Sequence, residues 1–474
     1  MKKNIILIDL ELILIQSIYE SKEVNIEFLI TDADDMKLAE IKDLYGVENI
    51  ITRAKFHDYT VQEKSDIDYK TIEKFKASQL DSEHFQDRFS NDTNLKQYHY
   101  FNALSFWINI FTKNNISAVI LDGLMHGANY DSLALDVAKA YGVSGYVIED
   151  HMIRYAKDEM MDIRSVLDYN LKERISLDCH KLRLTSVDID NYLFYIDKVS
   201  TGLKKKRKSV KDVARLFLPS YISVIMLMLT SIIRNKLVYM HGHNSRPAKV
   251  LKNIFYARRM RKLYDSISVE FDTSKKYVFY ALHFDPEASI MARARFSNQL
   301  SVIKQLSQNL PKDWVLYVKE HPDQFKLDSP GWWYFLVSIH KYRTKDFYKE
   351  ILKFNSTKLL KFNTKSQDII KSAEAISTIN GSISSETLTY NKPLILFGHP
   401  STPFGLCKDV FKVTSSEQCK KAIEQVETGF ITDYSDFNEI VDNYLFELHR
   451  SPLNDVRLLI DYLVCEHSSD KSDI

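Results

Sequence analysis

The chain has 474 residues, 45% hydrophobic and 27% charged, which is long enough for two or three buried cores and too apolar for a disordered or collagenous chain. Its 64 Lys and Arg balance 63 Asp and Glu, so no global field selects nucleic acid as a partner and any charge recognition has to be local. Cys179, Cys407, Cys419 and Cys465 show no CxxC or CxxH spacing, which argues for reduced thiols in a cytoplasmic protein and against a disulfide framework or a sulfur-ligated metal.

The N-terminus opens Met1-Lys2-Lys3 and turns apolar, but Asp9 and Glu11 interrupt the run and no small-residue cleavage site follows, so a buried first strand is expected rather than a signal peptide. Short β-branched and leucine runs at Asn4–Leu10, Asn25–Thr31 and Glu48–Thr52 alternate with helical spacing such as Met36, Ile41, Leu44 and Tyr45. A helical pair is expected between Asp58 and Asn114. Next comes a βαβ unit: strand Ile116–Leu121, a turn at Asp122-Gly123, helix Asp131–Tyr141 stopped by Gly142, and strand Gly145–Ile148. The first half is thus expected to be a parallel α/β domain.

From His151 the alternation fails, and the stretch 151–265 reads as a mainly helical insertion or linker. It holds the basic run Lys204-Lys205-Lys206-Arg207-Lys208 and the uncharged stretch Leu216–Ile233. Together these are either a membrane-surface attachment or a buried helix beside a solvated loop; Pro219, Ser220 and Ser223 argue against a stable span. Alternation resumes with strand Tyr277–Leu282, an amphipathic helix bearing Phe296, Leu300, Ile303, Leu306 and Leu310, strand Val315–Val318, an aromatic segment at Trp332-Trp333, and strands Ala375–Ile379 and Pro393–Phe397. Asn438–Glu466 reads as helical and able to pack back on the domains.

Three polar clusters follow strands of the second half: His283-Phe284-Asp285-Pro286-Glu287, Lys319-Glu320-His321-Pro322, and Asn380-Gly381-Ser382-Ile383-Ser384-Ser385-Glu386. The carboxyl edge of a parallel sheet is where ligand loops converge. Ser384 and Ser385 at a helix start suit an anion, or are ordinary caps; Glu386 suits a ribose hydroxyl, or complements the helix dipole. His321 can donate to a phosphate oxygen with Lys319 adding charge. His283 and Glu287 flank an Asp-Pro pair that equally reads as a capped helix start. In the first half, Glu149-Asp150 after strand Gly145–Ile148 suit general-base or nucleophilic work, with His126 a second candidate on the same edge. Asp32-Ala33-Asp34-Asp35 precedes a helix and reads as a cap more readily than as a metal site. No metal is expected.

The runs Tyr277–Ser289, Leu316–Pro322 and Asn380–Ser382 with Glu386 resemble the capsule polysaccharide biosynthesis family, which includes β-Kdo transferases; the likeness covers 236–398 well and 122–150 more weakly. The His-Pro and Ser-Ser motifs also resemble those of bacterial sialyltransferases. The resemblance implies two Rossmann-like domains facing a cleft, a GT-B-like arrangement. Residues 1–150 would form the acceptor-side domain with the catalytic carboxylate, 266–437 the nucleotide-sugar domain, and 438–474 a closing helix and tail. Carried over, His321, Ser384 and Ser385 hold the donor phosphate, with Lys319 and Glu386 beside them. Glu149 or Asp150 is the catalytic carboxylate, although His151 stands where the sialyltransferase motif has glycine. Asn380, Gly381 and Ser382 complete the cleft candidates.

The activity implied is transfer of Kdo or another acidic sugar from a CMP donor to a glycolipid or oligosaccharide, without metal or other cofactor. The enzyme would be cytoplasmic and peripheral at the inner membrane, with capsule assembly proteins as further partners. Transfer of a phosphopolyol from a CDP donor, as in teichoic-acid polymerases, and a non-catalytic scaffold are the alternatives.

Overall fold

The computed structural model describes residues 2–31, 41–88, 92–123, 130–151, 163–177, 182, 238–240, 243–245, 247–325, 339–399 and 402–466, apart from 11, 20, 22, 45, 46, 48, 63–66, 131, 170–172, 288, 289, 292–297 and 449–452. The chain forms two compact units, one of residues 1–86, 90–189 and 438–474, the other of 87–89 and 190–437. Each is built on a sheet that is wholly or largely parallel.

In the first unit β1 (Lys3–Ile8), β2 (Val24–Thr31), β3 (Ile50–Thr52), β4 (Ile116–Asp122) and β5 (Ser144–Asp150) run parallel in the order β3-β2-β1-β4-β5. The order reverses between β1 and β4, which makes that the switch point of a doubly wound sheet. Ile5, Ile6, Leu7 and Ile8 of β1 are fully buried, because helices cover both faces. On one face lie α1 (Leu12–Tyr19) and the closing helix Leu453–Asp461; on the other lie α2 (Thr93–Lys113) and α3 (Leu133–Ala140). The Asp92 carboxylate starts α2 by accepting from the Leu95 amide at 3.0 Å. β6 (Ile163–Asp168) joins antiparallel to β5, and β7 (Glu173–Arg174) and the late strand Phe446–Glu447 both pair antiparallel with β6.

In the second unit β8 (Val238–Met240) and β9 (His243–Ser245) form a separate antiparallel pair that leads into α4 (Pro247–Ile267). β10 (Tyr277–Ala281), β11 (Val315–Lys319), β12 (Thr357–Leu359), β13 (Ala375–Thr378), β14 (Leu394–Leu396) and β15 (Phe411–Lys412) are all parallel, in the order β12-β11-β10-β13-β14-β15. The switch point falls between β10 and β13. Period-two alternation sends Val278 and Tyr280 into a core with Ala257, Met260 and Tyr264 of α4 and Val302, Ile303 and Leu306 of α5 (Gln299–Asn309). Tyr277 and Phe279 enter the opposite core with Val315, Tyr317 and Ile376.

Several sequence expectations change here. The fifth strand was expected to stop at Ile148; it runs on to Asp150, because β6 supplies a partner that no periodicity announced, with Glu149 opposite Ser165 and Asp150 opposite Arg164. Glu149 and Asp150 are therefore strand residues, not loop residues. The stretch 151–265 contributes strands β6 to β9 as well as α4. His126, Asp32–Asp35, the basic run 204–208, the apolar stretch 216–233, Phe296 and Trp332-Trp333 lie outside the described residues. Among the described residues, no helix is long and apolar enough to cross a membrane.

Candidate functional site

Beyond the carboxyl ends of β10, β11 and β13 the three polar clusters meet around a partly open cavity of about 160 Å³. It is lined, among others, by His283, Glu287, Lys319, His321, Ser382 and Glu386. β10 runs between β11 and β13, and the turns after all three strands converge at the switch point.

A buried ionic network holds two of these turns. Arg343, 1% exposed, bonds the Asp285 carboxylate through Nη1 and Glu320 Oε2 through Nε at 2.9 Å, and it donates through Nη2 to the His283 carbonyl at 2.5 Å. Tyr348 donates to Glu320 Oε2 at 2.5 Å. Gln299 accepts from the His283 amide at 2.9 Å and donates to Asp285 at 2.6 Å, while Gln324 accepts from the Asp285 amide at 2.8 Å and donates to its carbonyl at 3.0 Å. Burial works against the Arg343 charge, but Asp285 and Glu320 outweigh it and its pKa is raised. One cation thus fixes the turn after β10 and the turn after β11 together.

His283 fixes the third turn. Its Nε2 lies 2.9 Å from the Thr378 hydroxyl and accepts from the amides of Ile379 and Asn380, both at 3.3 Å. With donors gathered on Nε2, the ring hydrogen sits on Nδ1, which faces Glu287 at 3.3 Å. The turn passes so close that a Cβ at Gly381 would lie 2.8 Å from Thr378 Oγ1 and 3.2 Å from His283 Cε1. Glycine is needed there for this close approach.

Two donors line the cavity with no hydrogen-bond acceptor among the described residues. Lys319, at the end of β11 and 5% exposed, has no hydrogen-bond acceptor for its ammonium among the described residues; its Nζ lies 5.9 Å from the Phe362 ring centre. Burial lowers the Lys319 pKa, opposed by Glu320 and Glu386. His321 accepts the Asp323 amide at Nδ1, 3.1 Å away, so its Nε2 carries the hydrogen, and no described protein group takes it. Burial lowers the His321 pKa, with Glu287 acting against it, which favours the neutral imidazole. Glu386 is pushed up to about 7 by burial, with Lys319 opposing. The cavity therefore offers an ammonium, an imidazole N–H and a carboxyl that titrates near neutrality.

The serines behave differently from the sequence reading. Ser384 is buried and its hydroxyl bonds the Gly381 carbonyl and Thr402 Oγ1, each at 2.8 Å; neither it nor Ser385 lines the cavity. Asn380 is buried beside it, and Ser382 is the serine at the wall. The reading of Asp285 as a helix cap is overturned, since its carboxylate takes Arg343 and Gln299 instead. In the first unit Glu149 is 6% exposed and paired with Arg174 Nη2 at 2.9 Å. Sequence reasoning missed Arg343 and Gln299 and gave Glu320 no role: Lys341-Tyr342-Arg343 reads as an ordinary basic loop, and nothing local marks Arg343 as buried. Among the described residues no cluster of three or more His, Cys, Asp or Glu is placed to hold a metal ion.

Fold and cavity together define the class: a protein of two doubly wound α/β units with a polar cavity at the switch point of the second. Residues 223–410 match the capsule polysaccharide biosynthesis protein family, and that segment carries the family's pattern, as its three motifs indicated. No curated protein sequence matches. Similar solved structures include Thermosulfurimonas dismutans KpsC, beta Kdo 2,7 transferase, at 12% identity over 89% of this chain and 90% of that one with a TM-score of 0.32. The beta Kdo 2,4 transferase of the same KpsC is 12% identical over 71% and 93%, TM-score 0.27, and UDP-GlcNAc 2-epimerase from Methanocaldococcus jannaschii is 13% identical over 98% and 99%, TM-score 0.26.

Proposed function

We propose that the chain is a glycosyltransferase of capsule polysaccharide biosynthesis whose second unit binds the phosphate of a CMP-activated acidic sugar, Kdo or a relative. The observation that supports this most is the pair of unpartnered donors, the Lys319 ammonium and His321 Nε2–H, facing one cavity at the switch point. A phosphate there supplies the hydrogen-bond acceptor that the buried Lys319 ammonium lacks among the described residues. As the bond from the anomeric carbon to the phosphate oxygen breaks, negative charge collects on the departing CMP, and these two donors stabilise it. Ser382 replaces Ser384 as the serine within reach, because Ser384 is spent on Gly381 and Thr402. Glu386, beside Lys319, suits the sugar or ribose hydroxyls.

The carboxylate that takes the proton of the acceptor hydroxyl is proposed to be Asp150, since Glu149 is engaged by Arg174. The acceptor is a glycolipid or growing glycan, and the enzyme works peripherally at the membrane that carries it. Calorimetric titration of CMP, CDP, UDP and GDP is the test. CMP should bind, and Lys319→Met and His321→Ala should each weaken it by roughly tenfold or more, as expected for charge-assisted hydrogen bonds worth ~1.5–3 kcal/mol. CMP affinity unchanged in both variants overturns the site, and selective binding of CDP would move the reading to phosphopolyol transfer.

A further inference from the structure

The helix α4 has two unlike sides. Asn253, Ala257, Met260 and Tyr264 turn into the core of the second unit. Lys252, Phe255, Arg258, Arg259 and Lys262 are exposed. At 3.6 residues per turn these five fall within an arc of about 120° opposite the buried one, over a length of roughly 15 Å. The arc contains no acid. The one acidic residue of the helix, Asp265, is held by Arg261 at 2.7 Å, and none of the four exposed cations has an acidic partner among the described residues. Between them stands Phe255, 65% exposed.

We propose that this face of α4 docks on an anionic lipid bilayer. Four exposed cations on one side of the helix, none with an acidic partner among the described residues, match a surface of headgroup phosphates. A polyanion such as nucleic acid would use the cations, but it gives no reason for an apolar ring at the middle of the strip. A bilayer takes both: the cations sit at the headgroups while the ring enters the acyl boundary. The surface deepens the peripheral-enzyme reading above and rests on it for its setting. It lies apart from the cavity-lining residues, so the two can fail separately.

The test is co-sedimentation of the full chain with vesicles of phosphatidylcholine mixed with phosphatidylglycerol, against phosphatidylcholine alone. The wild-type chain should partition to the anionic vesicles. Each neutralised cation should lower partitioning roughly fivefold, so the triple variant Arg258→Glu, Arg259→Glu, Lys262→Glu should lose ~100-fold or more. Phe255→Ser should lower the partitioning that survives high salt. All four positions are exposed, so a thermal melt and CMP calorimetry should match the wild type. Absence of wild-type partitioning, or triple-variant partitioning equal to wild type, overturns the proposal. So does duplex DNA bound as tightly as the vesicles together with an unaltered Phe255→Ser. Vesicle binding without CMP binding would sink the donor site and leave this surface standing.

Discussion

The two units share a strand order and differ in how their switch points are finished. In the first, acids at the strand ends meet arginines: Asp9 after β1 pairs with Arg53 at 2.5 Å, Asp122 at the end of β4 with Arg164 at 2.8 Å, and Glu149 in β5 with Arg174 at 2.9 Å. In the second, Arg343 satisfies Asp285 and Glu320 beneath the turns, yet Lys319 and His321 reach the cavity with donors to spare. A buried charge without a partner costs free energy unless something else supplies one. The unfinished electrostatics mark the candidate site more sharply than the fold does, since both units share the doubly wound strand order.

The largest expected effect breaks the matched part of this contrast. Arg343→Met strands two carboxylates, Asp285 and Glu320, and should cost ~3–5 kcal/mol in urea unfolding, with loss of nucleotide binding as both turns slacken. A variant of wild-type stability would show that the network is idle. In the first unit Arg174→Met removes the 2.9 Å ion pair of the buried Glu149 and should cost ~3 kcal/mol while CMP affinity holds; loss of affinity would give the pair a role in binding. Lys319→Met reverses the pattern: nucleotide affinity drops, but stability stays level or rises, because the desolvation of the buried ammonium outweighs its attraction to Glu320 and Glu386. A destabilised Lys319→Met would mean that the lysine already has a structural partner.

The smallest effect is a pH slope. Burial raises the Glu386 carboxyl from 4.5 to about 7, so between those values the folded protein keeps a proton that the unfolded chain has released. The unfolded state then binds fewer protons, and stability should fall as pH rises from 4.5 through about 7. Phosphate affinity should weaken as pH rises through about 7, where the folded-state carboxylate forms beside it. Glu386→Gln should flatten both slopes; slopes that persist would assign them to another group.

How much of this could be read beforehand depends on whether a signal is local. The short continuous apolar runs of β1, β4, β10 and β11 and the polar clusters after β10, β11 and β13 announce themselves in a few consecutive residues, so the parallel sheets and the cavity-lining motifs of the second unit were legible. Arg343 lies 58 positions from Asp285 and 23 from Glu320, and no window of sequence joins them. Ser384 carries the same letter whether it faces a ligand or the Gly381 carbonyl, and only the turn geometry decides. Glu149 was misplaced because the length of β5 is set by β6, a partner with no periodic signature.

The late segment that closes the first unit has a bearing on how the polypeptide is made. Phe446, Leu448, Leu459, Ile460 and Leu463 belong to the same core as Ile5, Leu7 and Leu14, and Tyr146 donates to the carbonyl of Leu463 at 2.6 Å. On the ribosome the residues of the second unit emerge complete while this core still lacks one wall. The unit synthesised first is therefore the one that finishes folding last. Until Leu463 appears, its apolar sheet face is what a chaperone, or a neighbouring nascent chain, would find exposed.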